Sequence, residues 1–269
     1  MSALTLRLKK EPGQRVDMGP LTPDRLTGMG GGEIERIPLW CGKHRIPVGD
    51  LFTLEGSGSE QIYIHSDSDR LDRIGAAMSR GEIRVEGCAG AYLGQQMRGG
   101  SLQVSGDTGA FAGNGLAAGS IRIDGDAGDF LGGSISGERQ GMRGGRIWVR
   151  GSAGDRVGDQ QRRGLILIEG DSGDYTASRM NAGTILVLGQ TGGESGFSMR
   201  RGTLLLARKP AALPVTFGDN GEHNLGILSL LLRDLQQQTG IPLTSHGNRV
   251  QRWVGDLGCA GMGEILIWR

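Results

Sequence analysis

The stretch Gly75-Ala76-Ala77-Met78-Ser79-Arg80-Gly81-Glu82-Ile83-Arg84-Val85-Glu86-Gly87 decides how this chain folds, because its pattern, G-x-x-M-x-x-G-x-[IL]-x-[IV]-x-G, recurs down the middle of the sequence. Further copies are read as beginning at Gly94, Gly113, Arg139, Gly158, Ala177 and Gly196. The seventh residue of each copy is glycine: Gly81, Gly100, Gly119, Gly145, Gly164, Gly183 and Gly202. Five of the six steps between them are 19 residues, and the step from Gly119 to Gly145 is 26, so one period carries an insertion of seven residues. A fixed period of this size means stacked supersecondary units, each leaning on its neighbours.

Inside every copy apolar residues alternate: Ile83/Val85, Leu102/Val104, Ile121/Ile123, Ile147/Val149, Ile166/Ile168, Ile185/Val187 and Leu204/Leu206. A period of two over about five residues predicts a short strand with one buried face. The turn Gly-x-x-Gly follows, as in Gly106-Asp107-Thr108-Gly109, and then one inward apolar residue: Leu93, Ala112, Leu131 or Val157. Nineteen residues are too few for a strand–helix–strand unit and suit one coil of a parallel β-helix. The expected fold class is therefore all-β, with coils about 4.8 Å apart and side chains stacked in ladders. The Met position reads Met78, Met97, Leu116, Met142, Gln161, Met180 and Met199, a thioether stack filling an irregular interior. No coil is stable alone, so the two ends need covers.

Residues 1–58 break the pattern and are expected to form an N-terminal cap, with a strand at Thr5–Leu8 and prolines at 12, 20, 23, 38 and 47. Residues 59–208 are the repeat region, opened by a degenerate rung with Ile62 and Ile64 in the buried places. Residues 209–269 hold a helix with apolar residues at 225, 228, 231, 232 and 235, ended by Gly240 and Pro242, and a terminal strand at Gly263–Trp268. That helix is too apolar for solvent and is expected on the end of the stack or on another subunit.

Bulk properties narrow the function. A net charge of +1 gives no electrostatic case for nucleic acid or an anionic membrane. No apolar run reaches membrane-spanning length, and the first residues lack the apolar centre of a signal peptide, so a cytoplasmic protein is expected. Cys41, Cys88 and Cys259 are odd in number and widely spaced, which predicts neither a disulfide framework nor a zinc or iron–sulfur site. His44, His65, His223 and His246 show no ligand or acid–base pairing in sequence. Asp107, Asp126 and Asp171 sit in turns, where their carboxylates satisfy turn backbone. A calcium roll fails on period and on paired acids. Gly132-Gly133-Ser134-Ile135 and Gly192-Gly193-Glu194-Ser195-Gly196 lack the lysine and the following helix of a phosphate loop. No catalytic, cofactor-binding or metal-binding residue is therefore assigned. One bias stands out: Arg139, Arg143, Arg146, Arg150, Arg156, Arg162 and Arg163 concentrate around the insertion, either as a solvated face or as a docking patch for acidic groups.

Seven agreeing copies, the 19-residue step, the length and the C-terminal helix together resemble the C subunits of formylmethanofuran dehydrogenases, and more closely their bacterial counterparts in formyltransferase/hydrolase complexes. The likeness is more distant to the β-helix domain at the C-terminus of the glutamate synthase large subunit. Departures are Leu116 and Gln161 at the Met position, Arg139 and Ala177 at the leading glycine, and Arg208 at the trailing one. The resemblance implies a right-handed parallel β-helix. It also implies a non-catalytic scaffold among formyltransferase, amidohydrolase-like and dehydrogenase-B-like subunits, in a hetero-oligomer that moves a formyl group from formyl-tetrahydromethanopterin to a methanofuran-type cofactor and hydrolyses it to formate. No cofactor is expected to be held by this subunit as its own. The cofactor's polyglutamate tail makes contact with the 139–163 arginines a secondary hypothesis. The arginine-rich composition and the lack of a ferredoxin-like cysteine extension favour the bacterial complex over a molybdenum or tungsten dehydrogenase. A polysaccharide-cleaving β-helix and a glutamate synthase accessory domain are the competing classes.

Overall fold

The computed structural model describes residues 3–269. The chain is mostly β. Its N-terminal part contains β1 (Leu4–Leu8), β2 (Val16–Asp17), β3 (Pro38–Cys41), β4 (His44–Pro47) and β5 (Phe52–Glu55), with three short helices, α1 (Pro23–Leu26), α2 (Gly31–Glu35) and α3 (Val48–Leu51). The middle holds β6 (Gln61–Ser66), β7 (Leu71–Asp72), β8 (Glu82–Gly87), β9 (Ser101–Val104), β10 (Ser120–Ile123), β11 (Arg143–Val149), β12 (Arg163–Ile168), β13 (Thr184–Val187) and β14 (Thr203–Leu206). The C-terminal part has β15 (Gly218–Asn224), α4 (Gly226–Thr239), β16 (Arg249–Gly255) and β17 (Gly263–Trp268).

Each repeat supplies one strand, and β8 to β14 pair in parallel with their sequence neighbours. Their register is constant: Ile83, Leu102, Ile121, Ile147, Ile166, Ile185 and Leu204 form one row. All are buried. A slip of one residue would turn every such side chain to the other face, which is why the alternation fixes the register. The row continues at one end through Ile62 of β6 and Leu4 of β1, and at the other through Ile265 of β17. The chain's first and last strands thus extend opposite ends of one 13-stranded sheet. A second parallel ladder of single bridges links Ala89, Thr108, Ala127, Ala153, Ser172 and Thr191. A third column of backbone bonds joins corners, as from Gly113 N–H to the Leu93 carbonyl at 2.7 Å and from Gly132 N–H to the Ala112 carbonyl at 2.7 Å.

The pairing of Met with glycine in the motif has a steric cause. A Cβ on Gly119 would lie 2.8 Å from the Met97 Cε, and one on Gly202 2.8 Å from the Met180 Cε. The Met of one period therefore fills the space left by the seventh glycine of the next, and these glycines also carry positive φ (94° at Gly119). Met199 meets Gly263 in the same way, which marks β17 as one more rung. Gln161 breaks the Met ladder while fully buried. Its amide donates to the Gly164 carbonyl at 3.0 Å, but its own oxygen has no partner. Gln161→Met removes that buried unpaired acceptor and restores the thioether stack, so stability is expected to rise by about 1 kcal/mol, or about 2 °C in Tm. A thermal melt showing a lower Tm for the variant counts against this account of the ladder.

Four expectations change. The fourth copy's leading glycine is Gly132, not Arg139: Gly132 has φ 65°, and its carbonyl accepts the Met142 N–H at 2.7 Å. The insertion thus lies between corner and Met, and Arg139 is part of the inserted loop. The helix α4 lies on the outer face of the sheet and not on the end of the stack. Leu228, Leu232 and Leu235 pack there against Leu167, Leu186, Leu205 and Leu266 in a second core. In β12, β13 and β14 the last three residues (Ile166–Ile168, Ile185–Val187 and Leu204–Leu206) are apolar and buried on both faces, so alternation no longer distinguishes the two sides there. The turn aspartates serve the next period and not their own turn: Asp107 accepts the Asp126 N–H at 2.8 Å, Asp126 that of Ser152 at 2.7 Å, and Asp171 that of Gln190 at 2.7 Å. Finally, His65 has a carboxylate partner after all, since register places its Nδ1 2.6 Å from Glu86 across β6 and β8.

Candidate functional site

The residue after the Met position stacks in a column of its own: Ser79, Arg98, Ala117, Arg143, Arg162, Asn181 and Arg200. Its backbone is fixed by the repeat, with Arg98 N–H bonded to the Met78 carbonyl (2.7 Å), Arg162 N–H to Met142 (2.8 Å) and Arg200 N–H to Met180 (2.8 Å). The inserted loop rises beside this column and divides it into two clefts. One, of about 550 Å³, is lined by Arg139, Arg162, Arg179, Asn181, Arg200 and Cys259 among others. The other, of about 250 Å³, is lined by Gln96, Glu138, Arg139, Gln140 and Arg143.

Buried polar groups pin the loop. The Asn114 amide donates to the Gly133 carbonyl at 2.8 Å, and the Ser134 hydroxyl and N–H donate to the Asp159 carboxylate and carbonyl, each at 3.2 Å. Asp159 is fully buried and also accepts from the Ser178 hydroxyl (2.7 Å) and the Arg179 Nε (2.9 Å). The hydrogen bond to Asp159 pushes the Arg179 pKa above the usual guanidinium range, and burial only partly opposes it. Arg98, Arg139, Arg143, Arg162, Arg163, Arg200 and Arg201 make no ion pair among the described residues. Guanidiniums without counter-charge in one column, Arg143 and Arg162 in adjacent periods and Arg98 and Arg200 two periods beyond them on either side, are suited to carboxylates or phosphates and store repulsion that an anion relieves.

The arginines grouped by sequence do not stay together. Arg139, Arg143 and Arg162 meet at this corner, and Arg163 adjoins Arg162 in the chain. Arg146 instead pairs with Asp234 of α4 at 3.1 Å, and Arg150 lies between Asp124 and Glu169 (3.8 and 3.7 Å). Arg156 stacks on Tyr175 at a different corner. The column gains Arg98 and Arg200, which a count along the chain missed and an alignment of the repeats by period reveals, and the larger cleft gains Arg179, one residue before the Met position. The four histidines stay scattered. His223 bonds the Asn220 side chain at 2.9 Å, and His246 stacks on Trp268 with centroids 4.4 Å apart. Among the described residues no three His, Cys, Asp or Glu side chains converge as metal ligands, and no helix is long and apolar enough to cross a membrane.

Beside Cys259, Asp256 holds the last rung against the corner, accepting the N–H groups of Gly258 (2.8 Å) and Ser198 (3.0 Å). Burial pushes its pKa up, but bonds from the Thr216 hydroxyl and these two N–H groups outweigh it, and the net shift is downward. A depressed folded pKa stabilises at every pH above the unfolded value of about 3.9, and that contribution disappears as pH falls through the folded value. Asp256→Asn is therefore expected to flatten the loss of Tm below about pH 4. Identical pH–Tm curves for the two proteins contradict this.

Residues 68–216, which include the seven repeats and every residue named at the two clefts except Cys259, match the GXGXG motif family. The chain belongs to that family. It is similar to the C subunit of the formyltransferase/hydrolase complex Fhc of Methylorubrum extorquens, 40% identical over 89 residues, 33% of this chain and 34% of that one. It is also similar to the C subunit of the molybdenum-containing formylmethanofuran dehydrogenase 1 of Methanosarcina barkeri, 36% identical over 98 residues, 35% of this chain and 33% of that one. The matched stretch spans about a third of the length of both relatives. Its structure resembles a chain in the crystal structure of the formyltransferase/hydrolase complex (FhcABCD) from Methylorubrum extorquens in complex with methylofuran. There the TM-score is 0.93 and the identity 39%, covering 98% of this chain and 99% of that one. The GXGXG chain thus shares its whole architecture, N- and C-terminal parts included, with that protein.

Proposed function

We propose that this chain is the non-catalytic scaffold subunit of a cytoplasmic formyltransferase/hydrolase complex. The near full-length likeness to a chain of the methylofuran-containing complex carries the proposal. Its partners are a formyltransferase, an amidohydrolase-like subunit and a dehydrogenase-B-like subunit. Together they transfer a formyl group from formyl-tetrahydromethanopterin to a methanofuran-type cofactor and release formate. The repeats, residues 59–208, wind as a right-handed parallel β-helix, a rod whose flanks hold larger proteins in fixed relation. Residues 1–58 cap it at one end, and residues 209–269 close the other end and cover one face.

The basic corner gives the rod a second task. Arg143, Arg162 and Arg200, with Arg139 from the inserted loop, are placed to hold the acidic tail of the furan cofactor. A row of carboxylates and a row of guanidiniums match in charge and in hydrogen-bonding geometry. The cofactor supplies the amine that carries the formyl group, and these arginines hold only its tail. Arg179 keeps its orientation through the buried Asp159.

Production of the chain with and without its partner subunits tests the proposal. The isolated chain is expected to show neither formyl transfer nor hydrolysis, and a tagged copy to bring down the three partners in constant ratio. Turnover by the chain alone, or recovery of flavin and iron–sulfur proteins in their place, defeats it.

A further inference from the structure

A different corner of each period, formed by the Gly-x-x-Gly turns, carries a column of rings. Tyr92, Phe111, Phe130, Arg156 and Tyr175 occupy the same place in successive periods. All five have left-handed backbone, with φ between 58° and 62°. Glycine takes that conformation freely, and this chain has 51 glycines, yet bulky side chains stand here against the conformational preference. Tyr92 stacks on Phe111 with centroids 5.2 Å apart, and Phe111 on Phe130 at 4.7 Å. The Arg156 guanidinium lies 4.6 Å from the centroid of Tyr175 and 5.8 Å from that of Phe130, filling the gap between two rings. Tyr175 meets exposed Phe197 edge-on at 5.9 Å. The ring column is only half-buried.

Aspartates run alongside. Asp129, Asp155 and Asp174 each directly precede a member of the ring column, and each accepts a backbone N–H of the next period through Oδ1, at 2.7–2.9 Å. Asp107, Asp126 and Asp171 do the same in the adjoining turn. All six are exposed, and none makes an ion pair among the described residues. Each carboxylate is turned to its own backbone donor, so the charges form a line and do not converge on a point; accordingly no cluster fit for a metal ion occurs among the described residues. The near-neutral total of the chain thus conceals two corners of opposite sign.

We infer that this ring-and-aspartate edge is a docking surface for an extended, arginine-bearing segment of a partner polypeptide. A line of carboxylates selects positive charge, and aromatic rings select the flat guanidinium over a compact ammonium. Arg156 already shows the mode of contact within the chain. The inference borrows from the scaffold reading only that the chain works in an assembly, and its test needs no other subunit.

Fluorescence anisotropy of a labelled peptide of alternating glycine and arginine, titrated with the full-length chain at low and at physiological salt, tests it. Binding weakened by salt is expected. The triple variant Asp129→Asn/Asp155→Asn/Asp174→Asn keeps the Oδ1 acceptor of each backbone bond but loses three charges, and should bind at least 10-fold more weakly. The variant Tyr92→Gly/Phe111→Gly/Tyr175→Gly suits the left-handed backbone, and should lose about 5-fold for the arginine peptide while leaving a lysine peptide unchanged. Melting curves confirm that both variants fold. No binding by the parent chain, equal affinity in the asparagine variant, or equal loss for arginine and lysine peptides overturns the inference. The last outcome means simple adsorption of polycations.

Discussion

Leu232→Asp is expected to detach α4 from the sheet and cost the C-terminal part of the protein at least about 4 kcal/mol. Leu232 is 1% exposed and belongs to the same apolar core as Leu186 and Leu205, both fully buried. Removing a buried leucine alone forfeits roughly 1.5–3 kcal/mol of apolar burial. A carboxylate left in that seam adds a desolvation penalty of several kcal/mol, because among the apolar residues of that core nothing neutralises it. Undocking then exposes a row of leucines on β12, β13, β14 and β17, an apolar strip of a kind that promotes aggregation. Leu230→Asp is the control. It lies on the same helix but is 62% exposed, and its effect should stay within about 0.5 kcal/mol. Limited proteolysis between residues 208 and 249, with size-exclusion chromatography, reads both. Equal protease resistance in the two variants would falsify the placement of α4.

The same seam shows what the sequence makes visible and what it hides. Ile83-Arg84-Val85 declares its inward face because its outward neighbour is charged. Leu165-Ile166-Leu167-Ile168 declares no face at all, and the second buried side could be read only from that loss of alternation. The rows of Ile and Val and the Met ladder were legible because each is a local pattern repeated at fixed spacing, and a terminal strand at Gly263–Trp268 was legible from its apolar run, while its place as a further rung came only from its pairing with β14. The position of the insertion was not: a spacing count places the fourth copy at Arg139, whereas the backbone turns at Gly132. Nor was the partnership of His65 with Glu86, since 21 residues separate two side chains that register makes neighbours. The basic corner was half visible. Counting along the chain found the arginine-rich segment, but only the period sorts Arg98 and Arg200 into the same column as Arg143 and Arg162, and sends Arg146 and Arg150 to the outer face. Charge segregation in a repeat protein is a property of columns, and a net charge near zero conceals it.

Reversing that column, with Arg143→Glu, Arg162→Glu and Arg200→Glu combined, is expected to weaken retention of the anionic furan cofactor by at least about 100-fold at physiological salt. The size follows from the change of six charges in one row. Each guanidinium there lacks a carboxylate partner among the described residues, so little local compensation is available. Folding should not suffer, because Glu at these positions leaves the buried Met ladder untouched and meets the remaining positive charge of Arg139, Arg163 and Arg201 in the same region. Tm is therefore expected to hold or rise, which separates loss of binding from loss of structure. Arg146→Glu with Arg150→Glu is the matched control. It reverses two arginines of the same sequence cluster that pair with Asp234, Asp124 and Glu169 on the outer face, so it should disturb α4 and leave cofactor retention near the parent level. Cofactor content of the purified complex, measured after washes of rising ionic strength, distinguishes the two. If both variants lose cofactor alike, the tail is held by overall charge and not by the column. If neither does, the acidic tail is bound by another subunit, and the unpaired arginines face an acidic surface of a partner instead.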